Sequence, residues 1–262
     1  MKYNFKKIAI FLASVFTFSV LALPTQQARA ITDSSMTIAE NQGLVATNVK
    51  YSENDTSFTL VAKDQDLTID MSISKIDEDN IEVLTTTSEG ESHRLTYNRN
   101  DDYMVMDGEE ITVVKTVTYN ENLAESTIQR LSSSSYDPIY VSTNKLNVSR
   151  TVTTIGAIAT LIGGVIAIAA LTGVSIATSV IASKIANWAS VVGLASLAAG
   201  YLFDGYVQYD LYKTKEPVSI GYGSNQIAYR YEDVRAIGEV RNKYMNVQLL
   251  SQGSWCFGTK PF

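Results

Sequence analysis

Apolar and polar residues alternate along most of the first half of the chain. In Leu67–Ser74 every second residue is apolar, which is the periodicity of a strand with one buried face, and Ile81–Leu84 is expected to start another strand. The polar stretch 77–80 interrupts the chain between them, and Asp107-Gly108 is a dipeptide that favours a tight hairpin. Short strands joined by local turns predict an antiparallel β-meander over residues 31–149.

The pattern changes at residue 151, where charge disappears. Thr151–Ser183 and Ile185–Phe203 contain no charged residue, and Lys184 separates them. A helix from Val152 to Leu171 would be roughly 30 Å long, which is the thickness of a bilayer core. Gly173 lies between the two apolar pieces, with no charge beside it that would resist entry into lipid. The segment therefore predicts a hydrophobic helical hairpin with its tip at Gly173.

Small residues recur through this segment at intervals of four, a spacing that lets helix backbones approach closely in lipid. The predicted hairpin and its helix contact are carried by Gly156, Ala159, Gly163, Ala167, Gly173, Lys184, Ala186, Ser190, Tyr201 and Phe203. Tyr201 and Phe203 are interpreted as aromatic residues at the membrane interface. Lys184 is costly at mid-bilayer, and its flexible side chain is expected to reach the far interface.

The end of the chain returns to a mixed composition. The apolar segment is expected to continue as a helix to about Lys215 and to stop before Pro217, and strands are expected after it. The predicted fold class is α+β, an antiparallel β-rich body with an internal hydrophobic α-helical hairpin. Its divisions are 1–30, a signal peptide; 31–149, a β-rich domain; 150–216, the hairpin and following helix; and 217–262, a C-terminal β-rich segment.

The first 30 residues have the three parts of a secretory signal peptide. Three lysines precede an apolar run from Ile8 to Leu23, and the small residues Ala28 and Ala30 follow it. This arrangement predicts cleavage after Ala30 and a secreted protein. The alternative is an uncleaved membrane anchor, but the run of about 16 residues is shorter than the roughly 20 that a span needs.

The charge balance limits the partners of the chain. Its 21 basic and 27 acidic residues give a net charge of −6. Cleavage after Ala30 removes four basic residues and no acidic one, which leaves a net charge of about −10. A surface of this sign argues against nucleic acid, whose phosphates require basic residues, and against a peptide that finds anionic membranes by charge alone.

Residue types for catalysis are scarce. Cys256 is the single cysteine and His93 the single histidine. The usual hydroxyl–histidine and cysteine–histidine catalytic arrangements and histidine-based metal sites are therefore not expected, and neither is a cofactor. The prediction is that the protein is not an enzyme, although a carboxylate pair acting on glycosides stays open. The tyrosines of the last zone, including Tyr206 and Tyr212, suit either packing or a sugar-binding surface.

Three interpretations of the apolar segment remain open. It is the buried core of a soluble protein, or two permanent membrane spans, or a segment that is sheathed by the sheet and inserts into a membrane later. The acidic, polar sheet favours the third, because it is typical of a water-soluble carrier. The high Ala and Gly content also makes the segment less hydrophobic than a leucine-rich span.

The chain resembles two groups of antibacterial proteins. The uncharged Ala/Gly/Ile-rich segment resembles the membrane-inserting helical hairpin of colicin-type pore formers. The whole plan, with a Cys-poor polar sheet and the closing residues 252–258, is similar to the large secreted bacteriocins of Gram-positive bacilli, the geobacillin type. This resemblance implies a secreted antibacterial protein that damages the membranes of related species, and the acidic charge would point to a receptor, to low pH or to an oligomer.

The predicted function is therefore a secreted, bacteriocin-like protein that inserts its hairpin into target membranes and permeabilises them. Its expected partners are the lipid membrane of the target cell, with a receptor or further copies of the chain, and no nucleic acid. Two alternatives stay open. One is a non-enzymatic cell-surface or membrane protein with two transmembrane helices, and the other is a secreted binding module with a buried hairpin.

Overall fold

Strands dominate the part of the chain that the structure, a computed structural model, describes: residues 44–52, 54–62, 66–121, 137–172, 182–186, 200–221, 223–240 and 243–257. The strands are β1 (Leu44–Tyr51), β2 (Asp55–Ala62), β3 (Leu67–Lys75), β4 (Asn80–Thr87), β5 (Ser92–Asn98), β6 (Tyr103–Met106), β7 (Glu109–Tyr119), β8 (Pro138–Val152), β9 (Tyr201–Thr214), β10 (Val218–Gly221), β11 (Ser224–Gln226), β12 (Tyr229–Val240) and β13 (Lys243–Gln252). One long helix, α1 (Ile155–Ala170), lies between β8 and β9 in the sequence.

Eleven of these strands form a continuous antiparallel sheet. Its order is β1-β2-β3-β4-β5-β6-β7-β8-β9-β12-β13, so nearly every strand pairs with the next one along the chain. β10 and β11 form a separate two-stranded hairpin. Local turns make this topology accessible: at the β6–β7 hairpin Asp107 and Gly108 have φ of 55° and 84°, the left-handed conformations that a type I′ turn requires.

β7 divides the sheet into two layers. Its first residues, Glu109–Thr112, pair with β6, and its remaining residues, Val113–Tyr119, pair with β8. We call β1 to β6 with the first part of β7 the first layer. The rest of β7 with β8, β9, β12 and β13 is the second layer. One long strand thus belongs to both layers and joins them.

Helix α1 is enclosed between the two layers. It contacts β3, β4 and β5 of the first layer and β8, β9 and β12 of the second. From Gly156 to Ala170 every residue of the helix is buried. Thr154 caps the N-terminus through its side chain, which accepts a hydrogen bond from the amide of Ala157 at 3.2 Å. A helix that is apolar on every side is expected where every side is covered.

Each layer turns one face toward the helix. Buried and exposed residues alternate along the strands, and the buried ones mark the face that meets the helix. In β3 the residues Leu67, Ile69, Met71 and Ile73 are buried while those between them are partly or fully exposed. The same alternation runs through β9. Most of these inward residues, including Ile69, Met71 and Ile73, form one core with α1, so burial of apolar area between sheet and helix is the main stabilising contribution to the fold.

The predicted fold class is wrong, because no hydrophobic helical hairpin appears in the described residues. The first predicted helix arm, Val152–Leu171, corresponds to α1, but Arg150–Val152 still belongs to β8. Around Lys184 the structure describes five residues, 182–186, and these are helical. The helix predicted to run to about Lys215 is strand β9 instead, because residues 201–214 alternate between buried and exposed positions and pair with β8 and β12. In the described part of the chain no helix is long and apolar enough to span a membrane.

Candidate functional site

The enclosed helix and its polar N-terminal end are the most unusual features of the molecule. The helix of 16 residues is about 24 Å long and carries neither an acidic residue in its first turn nor a basic one in its last. Its side chains contribute no chemistry beyond apolar contact and one threonine hydroxyl, that of Thr160. The groups that could act chemically lie on the strands and turns around it.

The small residues of α1 allow the helix to approach the first layer closely. A methyl group added at Gly163 would come within 2.8 Å of Val83 Cγ1, and one added at Gly164 would come within 2.9 Å of Leu95 Cδ1. Ala159 and Ala167, the other members of the predicted helix contact, are fully buried. At Gly163 the helix therefore faces strand residues, where a second helix was expected.

The opposite side of the helix meets the second layer. Phe203 is fully buried, and its ring lies over Gly205, where an added methyl group would meet the ring at 2.6 Å and Val165 Cγ2 of the helix at 3.2 Å. Phe203 was predicted as an interfacial aromatic residue, and in this structure its side chain fills the core. Tyr201 is half-buried at the start of β9 and packs against the same core.

Two predicted positions beyond the helix are also placed. Ala186 is buried in the core together with Ala182 and Ile185. Lys184 donates a hydrogen bond to the backbone carbonyl of Gln248 in β13, and partial burial lowers the pKa of its ammonium group. Lys184 is therefore attached to the last strand of the sheet. Gly173 and Ser190 lie outside the described residues.

A buried pair of threonines links the helix to β4. Thr85 Oγ1 and Thr160 Oγ1 are 2.5 Å apart, and Thr160 also donates to the carbonyl of Gly156 at 2.8 Å. Both side chains are almost completely inaccessible to water. A buried hydroxyl without a partner would be strongly unfavourable, so this pair holds the helix in one register against the first layer.

The single histidine lies at the N-terminal end of the helix between two carboxylates. His93 Nδ1 is 2.6 Å from Asp107 Oδ2, and His93 Nε2 is 2.5 Å from Glu91 Oε1. The hydroxyl of the cap residue, Thr154, is 3.3 Å from the same Nε2. A methyl group added at Gly156 would meet the ring at 2.9 Å. We call Glu91, His93, Asp107 and Thr154 the histidine cluster.

The histidine cluster contains a hydroxyl, an imidazole and a carboxylate, but its geometry does not suit nucleophilic catalysis. A general base must offer a free nitrogen lone pair to the attacking hydroxyl. Glu91 is closer to Nε2 than Thr154 is, so that nitrogen is directed to a carboxylate. The two carboxylates also lie on opposite nitrogens of the ring and share no position for an ion. Among the described residues no three acidic, histidine or cysteine side chains are arranged to hold a metal.

Electrostatics at this cluster favour the charged imidazole. Burial of the ring lowers its pKa and is the largest single influence, but the hydrogen bonds and charges of Asp107 and Glu91 together outweigh it, so the pKa of His93 is raised. Only the protonated ring can donate to both carboxylates. The sequence contained no local signal for this cluster, because its members come from the β4–β5 turn, β5, the β6–β7 turn and the residue that caps α1.

The outer face of the second layer carries aromatic side chains among polar ones. The rings of Tyr140 and Tyr212 meet edge to face with centroids 5.5 Å apart. Lys145 Nζ lies 3.5 Å from the centroid of the Tyr206 ring, and the guanidinium of Arg230 lies 4.5 Å from the Trp255 ring. We call Tyr140, Tyr206, Tyr212 and Trp255, with the charged groups beside them, the outer aromatic face.

The tyrosines of β9 lie in the segment that was expected to continue as a helix to about Lys215. In the strand they separate instead, since Tyr209 points into the core and is fully buried while Tyr206 and Tyr212 lie on the outer side. The Tyr209 ring packs against Tyr231 with centroids 5.2 Å apart. The order of the residues from Phe203 to Leu211, in which every second side chain is Phe, Gly, Val, Tyr or Leu and those between are Asp, Tyr, Gln and Asp, was the signal in the sequence that could have identified the strand.

The outer side of the first layer has a shallow groove of about 340 Å³ beside β1. Its lining combines hydroxyl and amide side chains with three apolar ones, one lysine and one aspartate, and includes Asn48, Lys50, Ser57 and Leu84. Asp70 in this groove already accepts a hydrogen bond from Thr59 at 2.6 Å. The groups do not converge on one point, so the groove has no evident catalytic arrangement.

Comparison of the chain with protein-family models, with curated proteins and with solved structures finds no match. The enclosed apolar helix, the histidine cluster and the outer aromatic face are therefore the observations from which a function has to be argued.

Proposed function

We propose that the protein is a secreted, bacteriocin-like antibacterial protein that permeabilises target membranes by releasing the apolar chain around α1 from between its two layers. The observation that carries this proposal is the burial of an uncharged helix of 16 residues, of which all but the first are buried, inside a sheet whose outer positions are mostly polar. The sheet then acts as a water-soluble carrier for a segment that water alone would not accept.

The physical basis is that lipid replaces the cover that the sheet provides. Exposure of the helix to water is opposed by the hydrophobic effect, whereas a bilayer core accepts the same apolar side chains. The helix satisfies its own backbone hydrogen bonds, as a segment in lipid must. Its length of about 24 Å is less than the roughly 30 Å of a bilayer core, so insertion needs neighbouring chain or local thinning of the bilayer.

Attraction by charge does not deliver this protein to anionic membranes. The acidic net charge of the chain repels anionic lipid headgroups. A receptor on the target cell or assembly of several copies at the surface supplies the missing attraction in this proposal. The receptor and the copies are partners that the experiment below separates from spontaneous insertion.

A disulfide between the helix and the first layer tests whether release is needed. Thr85→Cys combined with Thr160→Cys places two sulfurs where hydroxyls 2.5 Å apart now lie, close to the S–S distance of about 2.05 Å. The background carries Cys256→Ser, so that no third thiol is present. Dye release is measured with the chain from Ile31 onward, on anionic and zwitterionic liposomes and on protoplasts of related bacilli, at neutral and mildly acidic pH.

The oxidised double variant should release no dye, and the same protein prepared and kept under reductant should release as much as its Cys256→Ser parent. Each single cysteine variant is the matched control, because it changes one hydroxyl without forming a bond. Equal release by oxidised and reduced protein would mean that the helix stays in place during permeabilisation. Absence of release by the parent from every liposome and protoplast would remove the proposal altogether.

A second function, a secreted module that binds cell-wall glycan, is favoured by the outer aromatic face. Aromatic rings with polar tips, set among side chains that form hydrogen bonds, suit the mixed apolar and hydroxylated surface of a sugar chain. Tyr206→Ser and Tyr212→Ser should each weaken binding of the protein to purified insoluble peptidoglycan. Tyr119→Ser is the control, since Tyr119 is 68% exposed but lies on β7, outside the outer aromatic face. Equal binding by all three variants would count against this function.

A further inference from the structure

We propose that Glu91, His93 and Asp107 form a proton-operated latch on the N-terminal end of α1, closed while His93 is charged and open when it is neutral. The latch goes beyond membrane activity, because it concerns the opening of the folded protein in water. The test of the latch does not depend on whether the helix enters a membrane.

The geometry of the ring gives the latch two states. The imidazolium has two N–H groups, and each can donate to the carboxylate that lies 2.5 or 2.6 Å from it. Neutral imidazole has one N–H group and one lone pair. In the neutral state one carboxylate therefore faces a lone pair at hydrogen-bond distance, and that contact changes from attraction to repulsion.

The latch acts on the helix because the ring lies against its first turn. His93 Nε2 is 3.3 Å from the hydroxyl of Thr154, which caps the helix. Gly156 has no room for a side chain on the side of the ring, where an added methyl group would be 2.9 Å away. When a carboxylate moves away from the neutral ring, the ring loses a fixed position and the start of α1 loses the surface on which it rests.

The charged groups around the ring are Glu91 and Asp107. On the neighbouring strand β4 the residue opposite His93 is Thr85, which is uncharged, and the first turn of α1 contains no acidic residue. Arg94 donates its backbone N–H to Asp107 at 2.8 Å, while its side chain pairs with Glu82. Two carboxylates and one imidazole therefore set the protonation of the latch.

The direction of the pH dependence follows from the pKa of His93, which is raised in the folded protein. A raised pKa stabilises the folded state fully below the unfolded value of about 6.5 and loses this contribution as pH rises through the folded value. The latch is closed in mild acid and opens toward neutral and alkaline pH.

Hydrogen exchange of the backbone amides tests the latch without lipid. In the wild-type chain from Ile31 onward, protection of the amides at the start of α1, beginning with Ile158, should be about tenfold greater at pH 5.5 than at pH 8.5, the factor that the loss of one charge-assisted hydrogen bond produces. In His93→Gln the protection of these amides should be low and nearly constant over this range. The amides of β9 serve as an internal control and should show no such change.

The single histidine also gives a second measurement in the unaltered protein. Because the sequence has one histidine, the Hε1 signal of its imidazole can be followed without ambiguity in an NMR titration, and the midpoint of that titration should coincide with the midpoint of the change in protection. This comparison keeps the test open if His93→Gln does not fold. Constant protection in wild type, a pH dependence that persists in His93→Gln, or two midpoints that differ would each overturn the latch.

Discussion

The close contact between Gly163 and Val83 predicts that a single added methyl group destabilises the protein. A Cβ atom at position 163 would lie 2.8 Å from Val83 Cγ1 and 3.4 Å from Met71 Sδ. Val83 is fully buried in β4, and its branched side chain has few alternative rotamers. Neither the strand nor the helix can move aside cheaply in a core of native density.

The expected magnitude follows from two opposed contributions. Replacement of glycine by alanine inside a helix stabilises it by about 1 kcal/mol. Insertion of a methyl group into a well-packed core costs about 1–3 kcal/mol. Gly163→Ala should therefore lower the free energy of unfolding by about 1 kcal/mol overall, against the gain that helix propensity alone would give.

Val83→Ala supplies the matched background. It removes the methyl group that the new Cβ would meet, so Gly163→Ala should raise the free energy of unfolding in that background, by about 1 kcal/mol from helix propensity. The two variants are thus coupled, and the sign of one effect depends on the other. Urea unfolding of the four proteins, followed by circular dichroism, gives the double-mutant cycle. Stabilisation by Gly163→Ala in both backgrounds would refute the packing of α1 on β4.

Three further predictions concern other positions. Phe203→Ala should cost about 3–5 kcal/mol of stability, whereas Leu202→Ala, at a side chain 59% exposed on the opposite face of β9, should change it by less than about 0.5 kcal/mol; equal effects in urea unfolding would argue against the strand. Thr154→Ala should cost about 1 kcal/mol through loss of the helix cap, and Thr154→Ser should restore most of it; thermal unfolding at fixed pH distinguishes the two. Burial raises the pKa of Tyr97 to about 12, while an unfolded tyrosine ionises near 10. The folded state should therefore lose stability as pH rises from about 10 to 12, and Tyr97→Phe should reduce that loss. If the free energy of unfolding changed identically with pH in the two proteins, this prediction would be contradicted.

The strands of the first layer were accessible from the sequence because they bury one face only. In a segment such as Leu67–Ser74 the alternation of apolar and polar residues predicts both that the segment is a strand and which of its faces is buried. The Asp107-Gly108 turn adds a local rule that needs no knowledge of the rest of the fold. In such segments pattern and turn chemistry agree, so the prediction rests on two independent signals.

The prediction of a helical hairpin in the apolar segment was wrong because an apolar pattern does not show whether lipid or protein covers it. A helix between two sheets has no polar side, and neither has a helix in lipid. The prediction of a helix in place of strand β9 was wrong for a different reason. Tyr206, Tyr209 and Tyr212 are spaced three residues apart, which is a helical spacing, although in the strand they divide between its two faces. The histidine cluster could not be predicted from the sequence, since Thr154 and His93 are 61 residues apart and no local spacing joins them.

The meander order of the strands has a consequence for how the chain folds. Strands β1 to β7 pair with their neighbours in sequence, so the first layer can form from local contacts, which are rapid. The cover for its inner face arrives late, because the helix contact of Thr85 is made with a residue 71 positions further along the chain. Until α1 docks, side chains such as Leu60, Ile69 and Val83 face water or another chain, and such intermediates associate readily. The speed of helix docking should therefore decide what fraction of newly made chains reaches the native state before they aggregate.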